Sequence, residues 1–387
     1  VSTSRSRVMP DGPAPASPLG YRDFRLSLLA STLAFTGYGL LLPVVPLWAV
    51  HQGAGPVTAG AATGVFMAST VLTQLAVPAL IRARGYRLAL VWGALLLAVP
   101  APLLIVSTEA APILAVSFVR GAGFGLLTVC GSALIAELLP GGHVARGSGL
   151  YGLAVGLPQL LGLPAGAWLA EHWGFEPVFV VATVLPLAAL VPMLLLPALP
   201  PRHAPEGGRG LRGLITATWR PWLPMLAVST GFGAVATFAP IVVSSPASAI
   251  ALFVAPGAAM LSRWVAGQVG DRMASPGRML PGGLAVGGLG LLGFALLASN
   301  PVAAVLSAAV FGAGFGVVQN DSLVAMFARS AAGPASVAWN VAFDAGQGLG
   351  AVAVGAIVAG SSFGVAFGLL AGAALALLPV AWLARRP

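Results

Sequence analysis

Four ionisable side chains lie inside long apolar stretches: Arg120, Arg263, Asp321 and Asp344. Apolar surroundings solvate charge poorly, so such groups are expensive there. Within a membrane they face the bundle interior and mark proton or substrate pathways. Asp344 carries the clearest chemistry. It begins about ten residues into its apolar run, roughly 15 Å deep at helical rise. Asn340, Asp344 and Gln347 follow i, i+4, i+7 spacing, so a helix places them on one face. Desolvation penalises an ionised carboxylate, which suits a group that takes up and releases a proton. The competing role is a structural hydrogen-bond network to neighbouring helices.

Asp321 belongs to Gln319-Asn320-Asp321. Three adjacent residues cover about 200° of a helix, so not all can face one cavity. Asp321 and Arg263 have matched depths, both about 10 Å from one end of their runs. An ion pair between them is expected, and it would neutralise two costly charges. It would serve either packing or a gate. Arg120 has Phe124 and Thr128 on its own face. No acid at its depth offers it an obvious partner, and its plain role is to donate hydrogen bonds to helix carbonyls. Tyr38, Gln74, Gln159, Phe232 and Trp339 either line a cavity or pack the bundle, with Thr128, Gln319, Asn320, Asn340 and Gln347 as further cavity candidates.

The elements that hold these residues follow from composition. Of 387 residues, 58% are hydrophobic and only 7% charged; mean hydropathy is +0.95. A soluble domain carries roughly 25% charged residues. The bilayer is the solvent that suits this chain. Apolar runs cover roughly 25–49, 57–81, 88–107, 111–136, 147–170 and 177–198, then 222–243, 247–269, 279–298, 302–328, 334–360 and 363–384. Most reach the ~20 residues needed to cross a bilayer. They do not alternate as barrel strands would. The expected fold is all-α, with twelve transmembrane helices in two pseudo-symmetric six-helix bundles. The expected division is a disordered cytoplasmic tail at 1–23, bundles at 24–198 and 222–384, a cytoplasmic linker at 199–221 and a cytoplasmic C-terminus at 385–387.

All 19 basic residues are Arg. With the N-terminus inside, Arg clusters such as Arg82-Arg84-Arg87 fall on the cytoplasmic side, while the outside loops hold Glu109, Glu171 and Glu176 instead. This positive-inside pattern predicts a multi-pass protein with both termini cytoplasmic. It also explains the net charge of +9 without nucleic acid. The single cysteine, Cys130, cannot form an intramolecular disulfide.

The chain repeats itself. Gly121-Ala122-Gly123-Phe124-Gly125 in the fourth run recurs as Gly312-Ala313-Gly314-Phe315-Gly316 in the tenth. Parallel halves of six helices, with a site between them at the midplane, are one transporter architecture. Residues 133–180, with Glu137, Arg146, Gly147, Tyr151, Gly152 and Glu171-His172-Trp173-Gly174-Phe175, closely resemble bacterial major facilitator transporters. So does the stretch with Tyr38, Gly39, Pro43, Pro46 and Gly64. Arg120 before Gly121, Gly123 and Gly125 resembles that family's fourth-helix motif, where the Arg is associated with proton coupling or anion binding. Gly267-Gln268-Val269-Gly270-Asp271-Arg272 resembles the second copy of its G-x-x-x-D-R loop motif. In the first copy, Arg82 occupies the acidic position and Pro78 the leading glycine. Glu137, Arg146, Asp271 and Arg272 fall at the cytoplasmic ends of their runs and are expected to form inter-helix latches, or else to be solvated loop charges. Gly152, Gly156, Gly162, Pro164 and Gly166 loosely resemble the fifth-helix motif of drug:proton antiporters.

Catalysis finds little support. No His, Cys or carboxylate groups have metal-ligand spacing, and with no Lys in the chain there is no phosphate-binding G-x-x-x-x-G-K-[ST] loop. No cofactor or metal is expected. The reading is a monomeric secondary transporter of a bacterial inner membrane, with small-molecule substrate, protons and lipid as partners. Export of small organic compounds is expected, coupled to protons through Asp344, Asp321, Arg120 or Arg263. A proton-coupled importer of a metabolite or sugar, and a transport-inactive receptor or scaffold, are the alternatives.

Overall fold

The structure is a computed structural model that describes residues 17–106, 109–197, 211–273, 275–330 and 332–385. The expected tail up to residue 16, most of the linker (198–210) and residues 386–387 lie outside the described residues. Fourteen α-helices follow: α1 (Arg22–His51), α2 (Pro56–Ala98), α3 (Leu103–Val106), α4 (Ala110–Leu138), α5 (Gly141–Trp173), α6 (Phe175–Ala188), α7 (Leu190–Leu195), α8 (Leu211–Val242), α9 (Ala247–Met273), α10 (Leu280–Leu297), α11 (Pro301–Phe327), α12 (Ala332–Val358), α13 (Phe363–Ala376) and α14 (Leu378–Leu383). In hydrocarbon a helix satisfies its own backbone, which is why apolar runs of this length adopt it.

The fourteen helices make twelve spans. The apolar segment Pro56–Val106 is 51 residues long, more than twice the ~20 a bilayer requires. Gly85 interrupts it at φ 77, ψ 170. Only glycine adopts that conformation readily, so the chain turns back there. The pairs α6–α7 and α13–α14 are each a single bent span, Phe175–Leu195 and Phe363–Leu383. α8 begins at Leu211, well before the apolar run that starts at 222. Residues 211–221, expected in the linker, are therefore helical.

The sequence repeat has a packing role. A Cβ on Gly121 would strike the Phe66 carbonyl, and one on Gly125 would come within 2.7 Å of the Thr70 carbonyl. In the other half, Gly312 meets the Ala255 carbonyl and Gly316 the Ala259 carbonyl in the same way. Thus α4 lies backbone-close on α2, as α11 does on α9. Small residues permit this approach, and close packing holds membrane helices together. Thr70 Oγ1 adds a hydrogen bond to the Gly121 carbonyl at 3.0 Å.

The two halves meet mainly through α2 with α12 and α5 with α9. Along α2 and α12 the seam is built from small residues: Gly60 abuts Ala351, Gly348 abuts Gly64 and Met67, and Gly355 abuts Pro56. Thr63 and Thr237 hydroxyls hydrogen-bond across it at 3.1 Å. Pro56 starts α2 and Val358 ends α12, so this closed seam lies at the end of the molecule away from Leu211, where α8 begins. Toward the opposite end, Gly149 and Gly152 of α5 face open space.

Gly121→Val and Gly312→Val should each destabilise the folded protein by about 1–3 kcal/mol, because the branched side chain overpacks a backbone contact. Gly149→Val, with no neighbour to meet, should leave the melting midpoint nearly unchanged. Thermal unfolding of purified variants in detergent measures all three.

Candidate functional site

Asp344 is 2% exposed and lies where the halves touch. Its Oδ2 accepts a 2.6 Å hydrogen bond from Gln74 Nε2 of α2. Its Oδ1 accepts a 3.4 Å bond from Gln347 Nε2, three residues on. Gln347 Oε1 in turn accepts from Tyr38 Oη of α1 at 3.5 Å. Gln74 Nε2 also reaches Thr128 Oγ1 of α4 at 3.2 Å. One carboxylate on α12 is therefore tied to α1, α2 and α4 of the other half. Tyr38, Gln74, Asp344 and Gln347 are all buried. Both hydrogen-bond partners of the carboxylate are neutral amides. No described cation bonds to it, so its ionised form is a buried charge without a counter-ion. Gln74 Oε1, the other end of that amide, is buried with no hydrogen-bond partner.

Arg120 stands on the other side of an aromatic stack. Tyr38 lies on Phe124 at 3.9 Å between ring centroids and on Phe66 at 5.7 Å. The Arg120 guanidinium sits 5.8 Å from the Phe66 ring centre. Its Nε donates to the Leu97 carbonyl at 3.1 Å, the plain role foreseen for it. Its Nη2 is buried and unpartnered. Arg120, Tyr38, Thr63, Ser117 and Phe66 border a cavity of about 20 Å³, room for roughly one water.

The expected Arg263–Asp321 ion pair does not form. The Asp321 carboxylate accepts three backbone bonds instead, from Gly277 N (3.0 Å), Met279 N (2.7 Å) and Leu280 N (2.9 Å). These amides open toward it because Gly277 takes φ 85 in the turn before α10. Arg263 Nη1 donates to Gln319 Oε1 at 3.2 Å, and its guanidinium lies 5.5 Å from the Trp339 ring centre. Equal depth placed the two residues at one level but said nothing about which way each points around its helix.

The remaining candidates divide. Asn340 shares the Asp344 face but bonds its own helix, at the Ser336 carbonyl. Gln159 does the same with Val155. Phe232 stacks on Phe315 at 5.0 Å and is packing. Asn320 lies beside Gly267. Trp339 Nε1 bonds the Gln319 carbonyl and Ser322 Oγ, both at 3.1 Å. Of the latch candidates, Glu137 hydrogen-bonds Tyr86, directly after the Gly85 turn. Arg146 is exposed. The side chains of Asp271 and Arg272 lie outside the described residues. The sequence reading missed Tyr86, Thr63, Thr237 and Ser117. Single hydroxyls in apolar runs carry no spacing signal, though a tyrosine directly after a turn glycine was a usable one.

Comparison with known proteins gives a consistent picture. The Major Facilitator Superfamily profile matches residues 27–333. The Inner membrane transport protein YdhP of Escherichia coli O157:H7 is 28% identical over 287 residues, covering 69% of this chain and 70% of that protein. Its counterpart in strain K12 is 27% identical over the same length. Among solved structures, a POT family transporter in complex with 5-aminolevulinic acid superposes with a TM-score of 0.74 at 14% identity, over 94% of this chain and 96% of that one. The nucleoside transporter NupG superposes with a TM-score of 0.72 at 15% identity, over 94% and 99%. At such identities the superpositions establish the fold.

The hydrogen-bond geometry predicts a double-mutant result. Gln74→Ala and Asp344→Ala should be non-additive in stability, with a coupling of about 0.5–3 kcal/mol. Arg263→Ala and Asp321→Ala share no partner and should add. Chemical denaturation of the four single and two double variants decides both.

Proposed function

The chain belongs to the Major Facilitator Superfamily and is a multi-pass membrane transporter, and we propose that it exports small organic compounds in exchange for protons, with Asp344 as the proton carrier. The supporting observation is the Asp344 carboxylate, buried between the halves and bonded, among the described residues, by the amides of Gln74 and Gln347 alone. Family and fold favour a transporter over an enzyme. The exchange direction rests on the loose likeness of Gly152, Gly156, Gly162, Pro164 and Gly166 to the fifth-helix motif of drug:proton antiporters.

The mechanism is alternating access, by rocking of residues 25–198 against 222–384. With a proton bound, Asp344 is neutral. Its hydroxyl can then donate to Gln74 Oε1 once that amide turns, which satisfies the orphaned acceptor. The seam of Gly60, Gly64, Gly348 and Gly355 stays shut. Loss of the proton leaves a buried charge held by two neutral amides and no counter-ion among the described residues. Hydrating it requires the seam to part. A substrate-loaded, deprotonated carrier thus opens at the seam, takes a proton from that side and closes again. Arg120, with one unpartnered donor beside a small, mostly apolar cavity, lies against the Phe66 ring that stacks on Tyr38.

Arg placement puts the end where α8 begins in the cytoplasm, so the closed seam faces outward. In a Cys130→Ala background, an impermeant thiol reagent should label Phe175→Cys on intact cells and not Gly207→Cys. The reverse pattern inverts the topology.

Asp344→Asn imitates the protonated side chain at nearly equal volume. In proteoliposomes it should fold and exchange substrate down its gradient, and lose accumulation driven by a pH gradient. Uphill transport at the wild-type rate would remove Asp344 as the carrier. Substrate moving with the proton rather than against it would identify an importer.

A further inference from the structure

A second region has chemistry that transport does not use. At the end of the molecule where α8 begins, a surface groove of about 630 Å³ opens between the turn before α10 and the tail of α14. Ser275, Arg278, Trp382 and Arg385 line it, with Pro379 and Leu383 as its apolar wall. Asp321 pins the turn through its three amide bonds, so Arg278 projects from a fixed backbone. The other wall is pinned by Arg329, whose Nη2 donates to the Ala384 carbonyl at 2.6 Å. The Arg385 guanidinium lies 4.2 Å from the Trp382 ring centre.

Charge and apolar surface are arranged in a definite order. Trp382 is 58% exposed and Leu383 40% exposed on the outer side of α14, where a span of this protein meets lipid. Neither Arg278 nor Arg385 has a carboxylate partner among the described residues. Asp321, the acid bonded to this turn, is committed to backbone amides. Arg220 adds further positive charge: its repulsion, after burial, helps hold the Arg329 guanidinium below its ordinary value. Arginine binds phosphate oxygens with paired donors. An interfacial tryptophan sits at headgroup level, with its apolar ring toward the acyl region.

We propose that this groove binds the headgroup of an anionic phospholipid, with the phosphate between Arg278 and Arg385, the Ser275 hydroxyl beside it, and an acyl chain along Trp382 and Leu383. A zwitterionic lipid offers the same phosphate but cancels it with its own cation. A basic groove at the cytoplasmic surface should therefore prefer the anionic headgroup.

The test uses purified full-length protein, with phosphatidylglycerol, phosphatidylcholine of the same acyl chains, and inorganic phosphate as probes. Native mass spectrometry should show phosphatidylglycerol retained and phosphatidylcholine lost, and phosphatidylglycerol should raise the melting midpoint. Arg278→Gln with Arg385→Gln should weaken retention on the order of tenfold or more. Arg84→Gln with Arg87→Gln, equal in charge and exposed elsewhere, should not. A photoreactive phosphatidylglycerol should label the peptides around 275–278 and 379–385 in the unmodified protein, which keeps the test open if a variant misfolds. Equal retention by both double variants, or labelling elsewhere, overturns the site. Inorganic phosphate that displaces the lipid at equal concentration makes it a free-anion site and overturns the lipid assignment.

Discussion

The hydrogen bond from Gln74 to Asp344 joins two bundles whose seam along α2 and α12 is built mainly from small residues. It puts a carboxylate of that seam where water and counter-ions are least available. Everything nearby bears on that cost. Gln347 and Tyr38 extend the bond across the interface, and Thr128 Oγ1 accepts from the same Gln74 nitrogen. Amides can turn to donate or accept, so the same side chains can serve either charge state of the carboxylate. A cation in their place would fix one state.

The small-residue seam and the polar network depend on each other. Gly60, Gly64, Gly348 and Gly355 let α2 and α12 approach at backbone distance. That approach removes the water that would otherwise hydrate Asp344. The glycines of α4 and α11 do the corresponding work inside each half, which keeps each bundle rigid while the contact between bundles remains narrow. Each half also braces the turn between its second and third spans with an acid from its fourth. Glu137 bonds Tyr86 after Gly85, and Asp321 bonds the amides after Gly277. The chemistry of the two braces differs although the position is repeated. That places Arg82, in the acidic position of the degenerate first loop motif, outside the bracing contact.

Much of this was legible in the amino-acid sequence, for physical reasons. Apolar runs of bilayer length give the spans, and the Gly121 and Gly312 pentapeptides give the pseudo-symmetry. Asp344 was found from depth and Gln347 from its shared face. Gln74 was a cavity candidate, yet nothing in its own run says that α2 and α12 touch. The Arg263–Asp321 pairing failed on the same ground: depth follows from counting residues, whereas azimuth depends on packing. Asn340 shared the right face and still bonded its own helix, because a short amide satisfies itself locally at lower entropic cost. The early start of α8 was hidden by Arg212, Arg220 and Pro221, which read as linker but sit in a helix that projects beyond the apolar run.

On the proposed mechanism, the proton on Asp344 governs whether the α2–α12 seam is shut. Spin labels at Val57→Cys and Ser361→Cys, in a Cys130→Ala background, flank the end of that seam where α2 begins and α12 ends. Their separation can be measured by pulsed electron resonance in acidic and alkaline buffer. The account predicts one short distance at acidic pH and a longer population appearing at alkaline pH, with Asp344→Asn held at the short distance in both. A pH-dependent lengthening in Asp344→Asn equal to that of the wild-type side chain would contradict it.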